Sequence, residues 1–190
     1  MVKMTQRLTR KDWILAGFRA LAAGGVGALR VEPVARSLAA TKGSFYWHFK
    51  DPADWQTAML DFWEDVAFRQ IVTELNQLPR GMMRLQALAQ IATAKDHEAA
   101  HGGAAAEPAL RDWARYAPEV ARVVQRVDAA RIEFVTACLE DCPTAAADMS
   151  LQARQFYAAY LGLQVLQGQP QDDAMALQDL IRRLLGVRNP

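Results

Sequence analysis

Two short helical stretches joined by only two residues restrict this chain more than any other feature of its sequence. Val31, Val34, Ala35 and Leu38 recur at i, i+3, i+4 and i+7, which places them on one face of a helix. Pro33 is compatible with that helix only in its first turn, where the missing N–H costs little. Ala39-Ala40 makes the connection, and Thr41 opens the next helix as an N-cap. So tight a junction between two short helices is a helix-turn-helix signature. A further helix precedes them. Thr9-Arg10-Lys11-Asp12 has the Ser/Thr-x-x-Asp/Glu spacing of a capping box. Ile14, Phe18 and Leu21 then share a face, and Gly24-Gly25 ends the helix.

The helix opened by Thr41 reads Lys42-Gly43-Ser44-Phe45-Tyr46-Trp47-His48-Phe49-Lys50. Phe45 and Phe49 lie four apart and are expected to face inward. Lys42, Gly43, Ser44, Tyr46, Trp47 and His48 are then left wholly or partly outward. A lysine beside free N–H groups at a helix start suits phosphate. Gly43 has no side chain to hold the backbone away from a groove. Tyr46 offers a hydroxyl to a phosphate oxygen or a ring to a thymine methyl. The competing expectation is that Tyr46, Trp47 and His48 pack between helices, as aromatics commonly do. Charge tips the balance. Residues 1–50 carry nine Lys/Arg against Asp12 and Glu32, a net +7, whereas the other 140 carry thirteen basic and nineteen acidic residues, a net −6. A basic head on an acidic body points to a polyanion partner at the head alone; a solvated charged surface is the plainer reading of the same numbers.

The later segments are all helical in character, rich in Ala, Leu, Gln, Arg and Glu, without sustained alternation. Breaks fall at Pro79-Arg80-Gly81, Gly102-Gly103, Pro118, Pro143 and Gly168-Gln169-Pro170. The expected fold is all-α, with about nine helices: a three-helix head over 1–52 and a helical body over 53–190. No window holds 18 apolar residues free of charge, and the polar, basic Met1–Arg10 is not followed by an apolar stretch. Neither a membrane span nor a signal peptide is expected. Two cysteines, Cys138 and Cys142, are too few for a disulfide scaffold and fit a reducing, cytoplasmic setting.

The run Val34-Ala35-Arg36-Ser37-Leu38-Ala39-Ala40-Thr41-Lys42-Gly43-Ser44-Phe45-Tyr46-Trp47-His48-Phe49-Lys50 resembles the tetracycline-repressor (TetR) family of bacterial transcription regulators. The resemblance covers roughly residues 9–60, with a weaker likeness over Leu110–Glu140. It implies that Lys42, Ser44 and His48 meet bases or phosphates and Tyr46 a phosphate or thymine. Trp47 would lie along the groove wall and Lys50 near a phosphate. With Arg10, Lys11, Thr41 and Gly43, these make up the expected DNA-contacting set. Two positions depart from the family pattern: Arg30 stands where Thr is frequent, and Pro52 where Lys is frequent. The second removes one implied phosphate contact, for which Lys50 is the nearest replacement.

The resemblance further implies that the body binds a small effector and forms a homodimer. A helix of about Asp54–Leu78, carrying Trp55, Met59, Phe62, Trp63 and Val66, would seat the head on the body. The last two long helices, about Leu151–Gln167 and Asp172–Leu185, are expected at the dimer interface. Their stripes are Leu161, Leu163, Val165 and Leu166 on one, and Leu177, Leu180, Ile181, Leu184 and Leu185 on the other. An ordinary core stripe is the alternative. Candidate effector-lining residues are Trp113, Tyr116, Phe134, Phe156, Tyr157 and Tyr160. His97-Glu98-Ala99-Ala100-His101 matches the H-E-x-x-H zinc motif, but Gly102-Gly103 follows at once and a third ligand is not evident. No metal or other cofactor is expected. Cys138 and Cys142 share a face at i, i+4 and are read as buried small residues. The leading expectation is a repressor released from a palindromic operator by a small molecule. A metal-dependent hydrolase built on His97, Glu98 and His101, and a helical interaction module, are the alternatives.

Overall fold

Among the described residues the chain is helical throughout, with no strand. The computed structural model describes residues 8–94, 106–142, 148–166 and 169–186. The head comprises α1 (Arg10–Gly24), a 3-10 turn (Val26–Ala28), α2 (Val31–Ser37) and α3 (Lys42–Tyr46). Next comes α4 (Pro52–Glu64), which continues through a π-turn (Asp65–Arg69) into α5 (Gln70–Leu75). The body is completed by α6 (Met82–Thr93), α7 (Ala106–Ala114), α8 (Pro118–Glu140), α9 (Met149–Leu166) and α10 (Pro170–Leu184). With α4, the π-turn and α5 taken as one interrupted helix, the described residues hold nine, as expected.

Local chemistry sets the head's boundaries. The capping box forms at the start of α1: Asp12 N–H donates to Thr9 Oγ1 at 3.3 Å, and Thr9 N–H to Asp12 Oδ2 at 2.7 Å. Gly25, at φ 65°, closes the helix with its N–H on Leu21 O. The helix-turn-helix connection needs a left-handed residue, and Ala39 supplies it at φ 51°. Thr41 caps α3 through Ser44 N–H. α3 ends at Tyr46, earlier than the sequence pattern suggests. Pro52 forces Asp51 into extended backbone, φ −158° and ψ 174°, and Asp51 then caps α4 through Asp54 N–H. The segment from Lys42 must therefore leave its helix before Asp51.

Burial follows the expected faces in the head. Phe45 and Phe49 are fully enclosed, together with Trp13, Phe18 and Leu21. Phe45 meets Trp13 edge-on at 5.4 Å, Trp55 edge-on at 5.6 Å and Phe49 at 5.2 Å. Trp55 Nε1 donates to Trp13 O at 3.1 Å, so the indole is fixed at its polar end too. Gly17 lets α1 and α4 close on each other; a Cβ there would stand 2.6 Å from Met59 Sδ and 2.7 Å from Trp55 Cζ2.

Two apolar clusters fill the molecule. The first gathers α1 to α4, then Ala106, Leu110 and Trp113 of α7 and Val120, Val124 and Val127 of α8. The second holds Leu85 and Ala89 of α6, Val135, Cys138 and Leu139 of α8, Ala153 and Phe156 of α9, and Leu177, Ile181 and Leu185 at the C-terminal helix. Here one sequence reading is corrected. Leu177, Ile181 and Leu185 are intramolecular core, because α10 lays that stripe against α6; Leu180 and Leu184 pack partly buried beside it. The exposed apolar residues of the last two helices are Leu151, Val165, Leu166 and Met175. No helix among the described residues is long and apolar enough to cross a membrane.

Candidate functional site

α3 presents one face to the core and another to solvent. With Phe45, and Phe49 just beyond the helix, turned inward, Tyr46 and Trp47 are held outward, at 49% and 84% exposure. Tyr46 is braced edge-on against Phe45 at 5.2 Å. Packing between helices, the competing reading for this cluster, is thereby excluded for Tyr46 and Trp47. Thr41, Lys42, Gly43 and Lys50 are exposed beside them, and Ser44 and His48 are half-buried.

The cations of the expected DNA-contacting set divide. Arg10 works inside the head: its guanidinium donates to His48 O, pairs with Asp54 at 3.5 Å and lies 4.3 Å from the centre of the Phe49 ring. It staples α1 to the segment between α3 and α4. Lys42 is paired with Glu32 across the turn, and that hydrogen bond lowers the Glu32 carboxyl and raises the lysine. Lys11 is exposed, with its ammonium 5.9 Å from the centre of the Phe62 ring.

The body holds a second polar constellation, which the sequence reading missed. It lies between the two apolar clusters. Arg131, on α8, uses all five of its N–H donors. Nη1 donates to Glu107 Oε1 at 2.7 Å and Tyr157 OH at 3.1 Å; Nη2 to Glu107 Oε2 at 3.3 Å and Ala67 O at 3.1 Å; Nε to Ala67 O at 3.3 Å. Arg111 reaches Glu107 at 2.8 Å, Asp128 at 2.7 Å and Tyr157 OH at 2.8 Å. The Tyr157 hydroxyl donates to Asp128 at 2.7 Å, and Tyr160 OH lies 3.4 Å from Glu107. The Glu107 and Arg131 side chains are only 12% and 13% exposed. Burial alone would raise the Glu107 carboxyl, but the two arginines outweigh it and hold it at about 2. Burial also pushes both tyrosine hydroxyls above their ordinary value, so they remain protonated.

A signal for this cluster existed. Val120, Val124, Val127, Arg131, Val135 and Cys138 form one continuous helical stripe, and Arg131 is its one charged member. A guanidinium in a core stripe demands buried partners.

Of the six candidate effector-lining aromatics, Tyr157 and Tyr160 belong to this network. Trp113 and Phe156 are buried in separate apolar clusters, and Phe134 is half-buried against the second. Tyr116 is corrected: it follows the end of α7 and is 74% exposed, so it lines no interior space. A groove of about 360 Å³ along the π-turn and α5, lined by Asp65, Arg69, Gln70, Thr73, Glu74 and Gln77, shares no residue with the six. Cys138 and Cys142 are free and buried, and burial pushes the Cys138 thiol up to about 11. His97, Glu98 and His101 lie outside the described residues. Among the described residues, no three His, Cys, Asp or Glu side chains converge as a metal ion would require.

No family model matches the chain, and no curated protein matches it by sequence. Solved structures do match. A TetR-family transcriptional regulator from Streptomyces coelicolor superimposes with a TM-score of 0.75 at 17% identity, over 94% of this chain and 89% of that one. The fold is that of the TetR-family regulators. A transcriptional regulator from Rhodococcus sp. Rha1 gives 0.75 at 18% identity, over 96% of this chain and 100% of that one. A protein from Saccharomonospora viridis, solved in complex with choline, gives 0.72 at 18% identity, over 91% and 95%. The TetR fold thus extends through the body, where the sequence likeness to that family is weak.

Proposed function

We propose that this chain is a DNA-binding transcriptional regulator, a repressor released from a palindromic operator by a small molecule. The observation that carries the reading is the exposure of Tyr46, at the end of α3, and Trp47, just after it, on a segment whose inner side is locked by Phe45 and Phe49. A short helix and the turn that follows it, carrying exposed aromatics on a head of net charge +7, fit the groove of a duplex. Tyr46, Trp47, Gly43, Ser44, Lys42, Lys50 and Lys11 are the contacts we assign, with Arg10 holding the segment in position. Reading two half-sites requires two heads, and a homodimer through α9 and α10 would supply them, with Val165, Leu166 and Met175 at its contact. The head sits at residues 1–52 in this scheme, and α4 carries the signal to it from the body. Choline in one structural neighbour supports a small-molecule effector in the body.

The test is selection of bound fragments from the source genome, repeated at rising salt. A single enriched palindrome, with affinity falling steeply as salt rises, is the expected result. Absence of any sequence preference at low salt would sink the reading.

A further inference from the structure

We propose that Glu107, Trp63, Tyr157 and Tyr160 form a binding site for small organic cations of the guanidine class, which the chain fills with its own Arg131. Three rings surround that guanidinium: its central carbon lies 5.8 Å from the centres of Trp63 and Tyr157 and 5.7 Å from that of Tyr160. All three are within the range at which a ring face attracts a cation. The Glu107 carboxylate takes two of the five donors, Tyr157 OH one, and Ala67 O the remaining two. Geometry and charge agree on the occupant. With Arg131 withdrawn, Glu107, Asp128 and Arg111 leave the cluster one positive charge short, so an anion is disfavoured there.

Ala67 makes the site consequential. Its carbonyl lies within the π-turn of the helix that joins head to body, so the occupant of the cage also holds that turn. A guanidine can donate to Ala67 as Arg131 does. A quaternary ammonium can fill the rings but has no proton to offer. This deepens the effector reading above by naming a ligand class, and rests on it only for the consequence to DNA binding.

The experiment uses the full chain without DNA, so its outcome is independent of whether the head binds an operator. Arg131→Ala and wild type are titrated with methylguanidine at up to millimolar concentration, by calorimetry and thermal unfolding. Arg131→Ala should bind saturably and rise in Tm. Wild type should bind at least about tenfold more weakly, because the tethered guanidinium competes for the site. Adding Glu107→Gln to Arg131→Ala should abolish the gain. The proposal is overturned if methylguanidine leaves Arg131→Ala unchanged, if wild type binds equally well, or if acetate stabilises the variant instead. Should Arg131→Ala be unfolded alone, helical circular dichroism is followed through the same titration, and failure to regain helix overturns the proposal equally.

Discussion

The head and the middle of the body solve the same problem, fixing helices against one another, with opposite materials. In the head, Trp13, Phe45, Phe49 and Trp55 interlock as apolar rings, and the ion pairs Arg10–Asp54 and Lys42–Glu32 lie on its surface. At the middle of α8 the apolar stripe is interrupted, and α7, α8, α9 and the π-turn are joined by partly buried charges. Ring packing holds no titrating group. A partly buried charge network does, and it fails as a unit when one member is lost. In the regulator proposed above, such a division would give a stiff head and a connection whose stability chemistry can alter.

Removing one partner of the network should give the largest effect. Arg131→Met leaves the Glu107 carboxylate with one arginine, Arg111, instead of two and costs about 3–5 kcal/mol, the usual penalty for breaking an enclosed charge pair; denaturant unfolding measures it. The same carboxylate makes the contrast visible in acid. Its folded pKa of about 2 lies below the ordinary 4.5. The stabilisation is therefore complete above pH 4.5 and is lost as pH falls towards 2, on the order of 3 kcal/mol in all. Glu107→Gln should flatten stability across that window. A variant as acid-sensitive as wild type would show that the seam's charges do not govern it.

The two regions were not equally legible. In the head, local rules sufficed: i, i+4 spacing for Phe45 and Phe49, a capping box at Thr9, and an extended Asp51 before Pro52. Apart from the Glu107–Arg111 pair, the network joins residues 17 to 64 positions apart. Glu107 and Arg111 look like an ordinary surface pair at i, i+4, and only the interrupted stripe at Arg131 marks the site. Tyr116 and the α10 stripe misled for a related reason. Periodicity shows that a face is apolar, not which neighbour covers it, and α6 covers this one.

On the head's outer face, Trp47→Ala should weaken operator binding about tenfold or more, the scale of losing one anchor at an interface. Its Tm should hardly move, since Trp47 is 84% exposed. A fall in Tm with DNA affinity intact would instead make Trp47 structural, and the division of labour between the inner and outer sides of residues 42–50 would collapse. Gly17→Ala probes the inner face. Its Cβ would collide with Trp55 and Met59, and the overpacking should cost about 1–3 kcal/mol without changing the acid slope that Glu107 controls.

The smallest effect bears most directly on the contrast. Ala39 holds a left-handed conformation at φ 51° in the helix-turn-helix connection, at a strain of about 1–2 kcal/mol. Ala39→Gly releases that strain but gives the unfolded chain more freedom, which takes back about 0.5–1 kcal/mol. A net gain of up to about 1 kcal/mol is expected, seen as a higher denaturant midpoint at unchanged m. Ala39 touches no member of the buried network, so the dependence on pH between 4.5 and 2 should be identical to wild type. If relaxing this turn changed that dependence, strain in the head would be reaching Glu107 through α4 and the π-turn. The stiff head and the charged seam would then be one cooperative unit rather than two.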